Sequence, residues 1–469
     1  MDDALWRWDA VDLVRAIKLG RISCLDVVTA CLDRLTEANG AVNAVTVVFA
    51  DDALRAAAEA DRRVACGDPL GSLHGVPVTI KENVDVAGSA TTHGVVAFND
   101  IVAEADSPPV ANLKRAGAIV IGRTNTPAFG LRWHTDNALR GPTLNPWDKA
   151  RTPGGSSGGA AASLAVGITP IAHGNDYGGS IRYPAHCCGI AGIRPTLGRV
   201  PAFNATQPEE RALTGQTFSV QGPQARHIRD VRLALEAMAG RDMRDPWWVP
   251  APLTGPAPDR PIRVALTTDP DGLGVNPIVA DAVRRAGGAL ERAGYVIEEI
   301  DPPDVDAISR LFWELVWTET RHMLEPVARK VGDADFCRAL DVYLESAPPL
   351  DFNGYIRGLA LRAHYVREWL LFLERYPLVV GPVSGEPPFR LGFDTDTSAD
   401  GDRLRRVNRL LLAVNLLGLP AAAVPAGLEG GLPLGVQVIG SRFREDLCLD
   451  AAEVIEAQCG LETPIDLRW

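Results

Sequence analysis

Short apolar runs with hardly a polar interruption recur in the first half of this chain, at Val76 to Ile80, Ala118 to Ile121 and Thr169 to Ala172. A strand with one wet face alternates apolar and polar residues, whereas a strand apolar on both sides must be covered on both. Helical stretches and glycine-rich turns separate these runs. The expected fold class is therefore α/β, with one large sheet covered by helices on both faces.

The segments around this framework differ in character. Ser23-Cys24-Leu25-Asp26 reads as a capping box opening a helix, on which Cys24, Val28, Cys31, Leu32 and Leu35 share one face. A strand is expected at Val45 to Phe49 and a helix from Asp51 to Val64. Pro246, Pro250, Pro252, Pro256, Pro258 and Pro261 exclude regular structure across 240–262. Beyond them a strand at Ile262 to Leu266, a helix at Ile278 to Ala293 and a strand at Tyr295 to Ile300 are expected. Residues 306–376 are helical in pattern and carry Phe312, Trp313, Trp317, Tyr343, Phe352, Tyr355, Trp369 and Phe372. They read either as ordinary helix packing or as a cap whose aromatics, Trp313, Trp317 and Tyr355 among them, line a substrate pocket. An irregular stretch at 386–402 precedes a helix from Arg403 to Leu416, strands at Ala421 to Val424 and Gly435 to Ile439, and a last helix. The division expected is a single domain over 1–469: a helical part at 1–65, a catalytic core at 66–240, a variable aromatic cap at 241–400 and a return to the sheet at 401–469.

Hydrophobic residues make up 46% of the chain and charged residues 23%, enough to bury a large core without metals or disulfides. The net charge of −12 argues against a nucleic-acid or anionic-membrane surface, which needs clustered Lys and Arg. The eight cysteines form no C-x-x-C pair and read as small buried residues in a reducing compartment. Histidines stand apart from one another, so no metal site is expected. The acidic N-terminus lacks a signal-peptide pattern, and no apolar run is long enough to span a bilayer, so a cytoplasmic protein is expected.

Three segments carry chemistry. In Gly75-Val76-Pro77-Val78-Thr79-Ile80-Lys81-Glu82-Asn83, a lysine closes an apolar strand. Buried, its pKa falls and the neutral amine can accept a proton; otherwise it simply reaches solvent. The second segment, Arg151 to Gly159, sets Ser156 and Ser157 among four glycines ahead of an Ala-rich helix. It lacks the Lys-Ser/Thr end of a phosphate loop, and no strand leads into it as a nucleophile elbow requires, which leaves a helper site for a nucleophile elsewhere. In the third, Asp176 to Ala185, Gly178-Gly179-Ser180 can turn successive N–H groups towards one point, with Ser180 both nucleophile and donor.

Together these segments resemble, in order, the three hallmark motifs of the amidase-signature family. The resemblance continues through Cys188 to Val200, Asn415 to Pro420 and Gly431 to Gly440, and is loose over 240–400. It implies the family's mixed α/β/α sheet and a Ser–Ser–Lys arrangement. Ser180 would attack the carbonyl, and Ser156, matching the family's cis-serine, would relay the proton to a neutral Lys81. The N–H groups of Tyr177, Gly178, Gly179 and Ser180 would form the oxyanion hole. Asp176 and Arg182 would brace the loop as an ion pair, and water would release the acyl group without metal or cofactor. Four positions depart from the pattern: Asn175 replaces a small hydroxyl residue, Arg123 and Arg194 replace lysines, and Ala128 stands where an acidic residue is common. None removes a triad member, and together they favour a free-standing amidase.

The expected activity is hydrolysis of the C–N bond of a small or medium, apolar or aryl amide, by a monomer or homodimer with no nucleic-acid or membrane partner. The rivals are a carbamate or ester hydrolase of the same family and a glutaminase subunit delivering ammonia to a partner. A Ser-His-Asp hydrolase using Ser156 with His173, His186 or His227, and a catalytically dead binding protein, stand further off.

Overall fold

The computed structural model describes residues 4–469, and strands from Val45 to Gly440 join one 11-stranded sheet. In chain order the strands are β1 (Val45–Val48), β2 (Pro77–Lys81), β3 (Ile119–Thr124), β4 (Ile171–Asp176), β5 (Ala191–Arg194), β6 (Val220–Ala225), β7 (Arg263–Leu266), β8 (Val296–Glu299), β9 (Leu378–Pro382), β10 (Ala421–Glu429) and β11 (Leu432–Gly440). Their order across the sheet is β1-β3-β2-β4-β6-β5-β10-β11-β9-β7-β8. Parallel pairs β3/β2, β2/β4, β9/β7 and β7/β8 flank an antiparallel centre running from β4 to β9, so the sheet is mixed.

Period-two alternation sends successive side chains to two separate cores. Val78 and Ile80 of β2 join the core under the helices Ile228–Met238, Pro277–Arg292 and Glu445–Cys459. On the other face lie the helices Cys24–Val42, Gly158–Ala165, Val305–Glu319 and Arg409–Leu417, packed on Ile121, Ala172 and Ala423. Both faces of the sheet are covered, as the uninterrupted apolar strands require.

Local signals hold up where they rest on a specific hydrogen bond. Ser23 caps Cys24–Val42 by accepting from Asp26 N–H, and the Asp26 carboxylate accepts from Ser23 N–H in return. The capping helix buries Cys24, Val28, Cys31 and Leu35, with Leu32 only partly covered. The proline-rich stretch at 240–262 is irregular, and the helix expected from Arg403 to Leu416 is two, Gly401–Val407 and Arg409–Leu417, broken at Asn408. Strands β5, β6 and β9 are additional to those expected. Among the described residues no helix is long and apolar enough to cross a membrane.

Candidate active site

Lys81 is the last residue of β2, and alternation turns it, with Thr79, away from the face that takes Val78 and Ile80. It is wholly buried and does not reach solvent. Its Nζ lies 2.7 Å from Ser156 Oγ, 3.0 Å from Ser157 Oγ and 2.7 Å from Asn175 Oδ1. Burial pushes the amine well below the ordinary lysine value, against the opposing pull of the Asp176 carboxylate.

A neutral amine has two hydrogens and one lone pair, and the neighbours decide where each goes. The Asn175 amide is oriented by its Nδ2, which donates to Asn83 Oδ1 at 2.9 Å, so its Oδ1 accepts from Lys81. Ser157 Oγ spends its own hydrogen on the Asn175 carbonyl at 3.4 Å and accepts from Lys81. The lone pair is left facing the Ser156 hydroxyl. Asn175, a departure from the family pattern at the level of sequence, is thus a direct partner of the lysine.

The Ser156 loop is held by close packing. Its Gly155–Ser156 peptide is cis. A Cβ on Gly155 would stand 2.3 Å from the Arg132 carbonyl oxygen, so no larger residue fits there. Thr135 Oγ1 ties the loop at both ends, donating to the Gly154 carbonyl at 2.9 Å and accepting from Gly158 N–H at 3.1 Å. The two serine loops meet over β4: the Cβ position of Gly174 lies 3.1 Å from Ser157 Oγ and 3.2 Å from Ile181 Cγ1.

The turn after β4 is fixed from below by charge. Arg182 donates to both Asp176 oxygens, at 3.0 and 3.1 Å, and also to Gln437 Oε1 and Asn415 Oδ1, with both ion-pair partners wholly buried. Burial works against the ionised carboxyl, but the Arg182 and Arg194 guanidinium groups outweigh it and hold Asp176 below the usual carboxylate range. Arg194 also donates to the Asp176 carbonyl at 2.8 Å, which gives that departure from lysine a structural task.

The Gly178–Gly179 peptide is pinned from both sides. Its carbonyl accepts from Trp133 Nε1 at 2.9 Å and its N–H donates to Asp176 Oδ1 at 2.9 Å. Because a planar trans peptide points the two groups in opposite directions, the Gly179 N–H faces the buried carboxylate. The expected four donors narrow to three: Tyr177, Gly178 and Ser180 have N–H groups without a protein acceptor among the described residues.

Ser180 opens onto a cleft lined by Leu131, Trp133, Tyr177, Phe312, Trp313, Val316, Trp317, Tyr343 and Leu412. Trp133 and Trp313 lie nearly parallel, 9° apart with centroids at 6.0 Å, and Trp317 stacks on Tyr343 at 5.0 Å. Trp313 and Trp317, two of the three aromatics expected at a pocket, are in this lining. Tyr355 does not line the cleft; its hydroxyl donates to the buried Glu319 behind the wall. Trp133 went unnoticed in the sequence, since it lies in a segment with no periodic pattern. The histidines of the Ser-His-Asp alternative are engaged elsewhere: His173 with Gln221, His186 with Gly435 N–H, and His227 between Asp9 and Glu456.

The sequence model of the Amidase family matches residues 26–449. An indoleacetamide hydrolase of Bradyrhizobium diazoefficiens is 49% identical over 97% of this chain and 87% of its own. One component of the glutamyl-tRNA(Gln) amidotransferase of Moorella thermoacetica is 32% identical over 96% of each chain. Among solved structures, a bacterial aryl acylamidase of the amidase signature family superposes with a TM-score of 0.83 at 28% identity, covering 98% of this chain and 97% of the other.

Proposed function

This chain belongs to the amidase-signature family and is an amidase acting on non-peptide C–N bonds, and from that premise we propose that it hydrolyses indoleacetamide or a close arylacetamide to the acid and ammonia. The observation that carries the substrate class is the aromatic cleft into which Ser180 opens, whose stacked indoles offer flat walls to a planar ring. The 49% identity to an indoleacetamide hydrolase supports the same reading and favours it over a component of an amidotransferase.

The Lys81–Ser156 hydrogen bond supports a proton path for this reaction. Ser180 Oγ attacks the amide carbonyl while its proton passes to Ser156, whose own proton moves to the Lys81 lone pair. The N–H groups of Tyr177, Gly178 and Ser180 stabilise the oxyanion; losing one such donor costs on the order of 100- to 1000-fold in rate. The protons then return through Ser156 to the leaving nitrogen, ammonia departs, and Ser180 holds the arylacetyl ester. Water, deprotonated along the same path, releases the acid. Eight free cysteines support a reducing, cytoplasmic setting.

The test is kcat/KM on indole-3-acetamide, acetamide, an aryl ester and an aryl carbamate, with Ser180→Ala alongside. Indole-3-acetamide should exceed acetamide by roughly a hundredfold or more. Equal rates on both, or a preference for the carbamate, would overturn the substrate assignment. Activity surviving in Ser180→Ala would overturn the nucleophile.

A further inference from the structure

Glu319 is a buried carboxylate with no task in the reaction just described, and it sits at the last turn of Val305–Glu319, where the helix passes into a π-helical turn at Thr320–Leu324. Such turns re-aim side chains and recur at functional sites. All three groups that satisfy this carboxylate are neutral: Thr214 N–H at 2.9 Å, the Thr214 hydroxyl, and the Tyr355 hydroxyl. Thr214 Oγ1 in turn lies 2.6 Å from the Tyr177 hydroxyl. Since the Thr214 hydrogen goes to Glu319, the Tyr177 hydroxyl must be the donor in that contact. The chain therefore runs one way, Tyr177 O–H to Thr214 O–H to the carboxylate, and each bond polarises the next.

Tyr177 is where this chain meets the chemistry. Its ring forms part of the cleft wall and packs on Phe312 at 6.0 Å, and its backbone N–H is one of the three donors beside Ser180. Trp133 and Asp176 fix the peptide between Gly178 and Gly179, and Arg194 and Asn415 hold the Asp176 carbonyl and with it the peptide that bears the Tyr177 N–H, but none of them holds the Tyr177 side chain. We infer that Glu319 is a positioning residue: through Thr214 it locks the Tyr177 side chain beyond the peptide held by Arg194 and Asn415, keeps the first oxyanion donor from shifting, and latches the aromatic cap to the catalytic turn. This rests on the reading of Ser180 as nucleophile and of the Tyr177 N–H as a donor. The chemistry at the latch explains the choice of residues. Gln could keep both Thr214 bonds with its oxygen and donate to Tyr355 with its nitrogen, whereas a side chain without an acceptor releases Thr214 and, with it, Tyr177.

The experiment is single-turnover and steady-state kinetics on indole-3-acetamide for Glu319→Met, Glu319→Gln and Thr214→Val, each alone and with Tyr177→Phe. Active sites are counted with a serine-reactive fluorophosphonate, so that misfolded protein does not enter the rates. Glu319→Met and Thr214→Val should each lower kcat per active site roughly ten- to a hundredfold, with KM within about threefold. Glu319→Gln should retain most of the rate. In the Tyr177→Phe background, where the chain is already cut, Glu319→Met should add little. Unchanged kcat per active site, an effect confined to KM, or full additivity with Tyr177→Phe would overturn the inference. Ser180→Ala, measured in parallel, separates that result from a failure of the nucleophile assignment.

Discussion

The catalytic turns and the aromatic cap face each other across the cleft and are held by different forces. On one side Lys81, Ser156, Asp176 and Arg182 are all nearly or fully buried, and nearly every polar atom has a directional partner. Gly179, at φ +96°, lies so close to Leu411 that a Cβ would stand 2.6 Å from it. On the other side, the helices Val305–Glu319 and Ala334–Glu345 are joined by ring packing of Trp313 and Trp317 with Tyr343, and the helix Phe352–Arg375 exposes Phe352, Ile356 and Leu371. Hydrogen bonds to buried charge fail abruptly when a partner is lost, whereas apolar contacts weaken by degrees. On the function proposed here, the turns carry what every amide substrate shares and the cap carries what distinguishes one substrate from another.

The contrast breaks most sharply at the lysine. Lys81→Arg installs a guanidinium that does not deprotonate, so turnover should fall roughly 100- to 10,000-fold across neutral pH. In the native enzyme the acylation rate should rise with pH through the lowered Lys81 pKa and then level off, because the neutral amine is the working form. Rapid-quench rates from pH 5 to 10 check both points; a rate that falls as pH rises would contradict the assignment.

Arg182→Met comes next. It leaves Arg194 as the one ion-pair partner of the buried Asp176 charge, beside neutral donors from Asn415, Gly179 and Ile181, and urea denaturation should show a loss of about 3–5 kcal/mol. A loss below about 1 kcal/mol would mean that the turn is not held by charge.

On the cap side, Trp317→Leu should raise KM for indole-3-acetamide about tenfold while leaving acetamide hydrolysis within twofold. Equal losses on the two substrates would erase the division of labour. Phe352→Ser, at a side chain 78% exposed, marks the small end, with a stability change within about 0.5 kcal/mol by thermal melting.

How much of this was legible in the sequence follows the same line. Strands β2, β3 and β4 showed as apolar runs, and the Ser23 capping box gave a helix start to the residue. Strand β6, with Gly222 and Pro223, is not among the expected strands; it forms because β4 pairs along its whole length, while β5 pairs only at Gln224 and Ala225 and leaves Pro223 outside that ladder. Lys81, Ser156 and Ser180 were visible as residue types in three motifs. Asn175 looked like a departure and Trp133 like nothing at all, because each acts on a group distant in the chain, the Lys81 amine and the Gly178 carbonyl.

The sequence by itself determined the layered α/β class, through strands apolar on both faces, and pointed to the proposed reacting side chains, through three glycine-rich or strand-end motifs in order. The tertiary structure decided which hydrogen each polar group gives and to whom. It turned the Gly179 N–H away from the cleft, left the Lys81 lone pair for Ser156, and moved Tyr355 from the pocket wall to the Glu319 latch. Hydrogen bonds are directional and join residues far apart in the chain, so their directions follow only once the chain has folded.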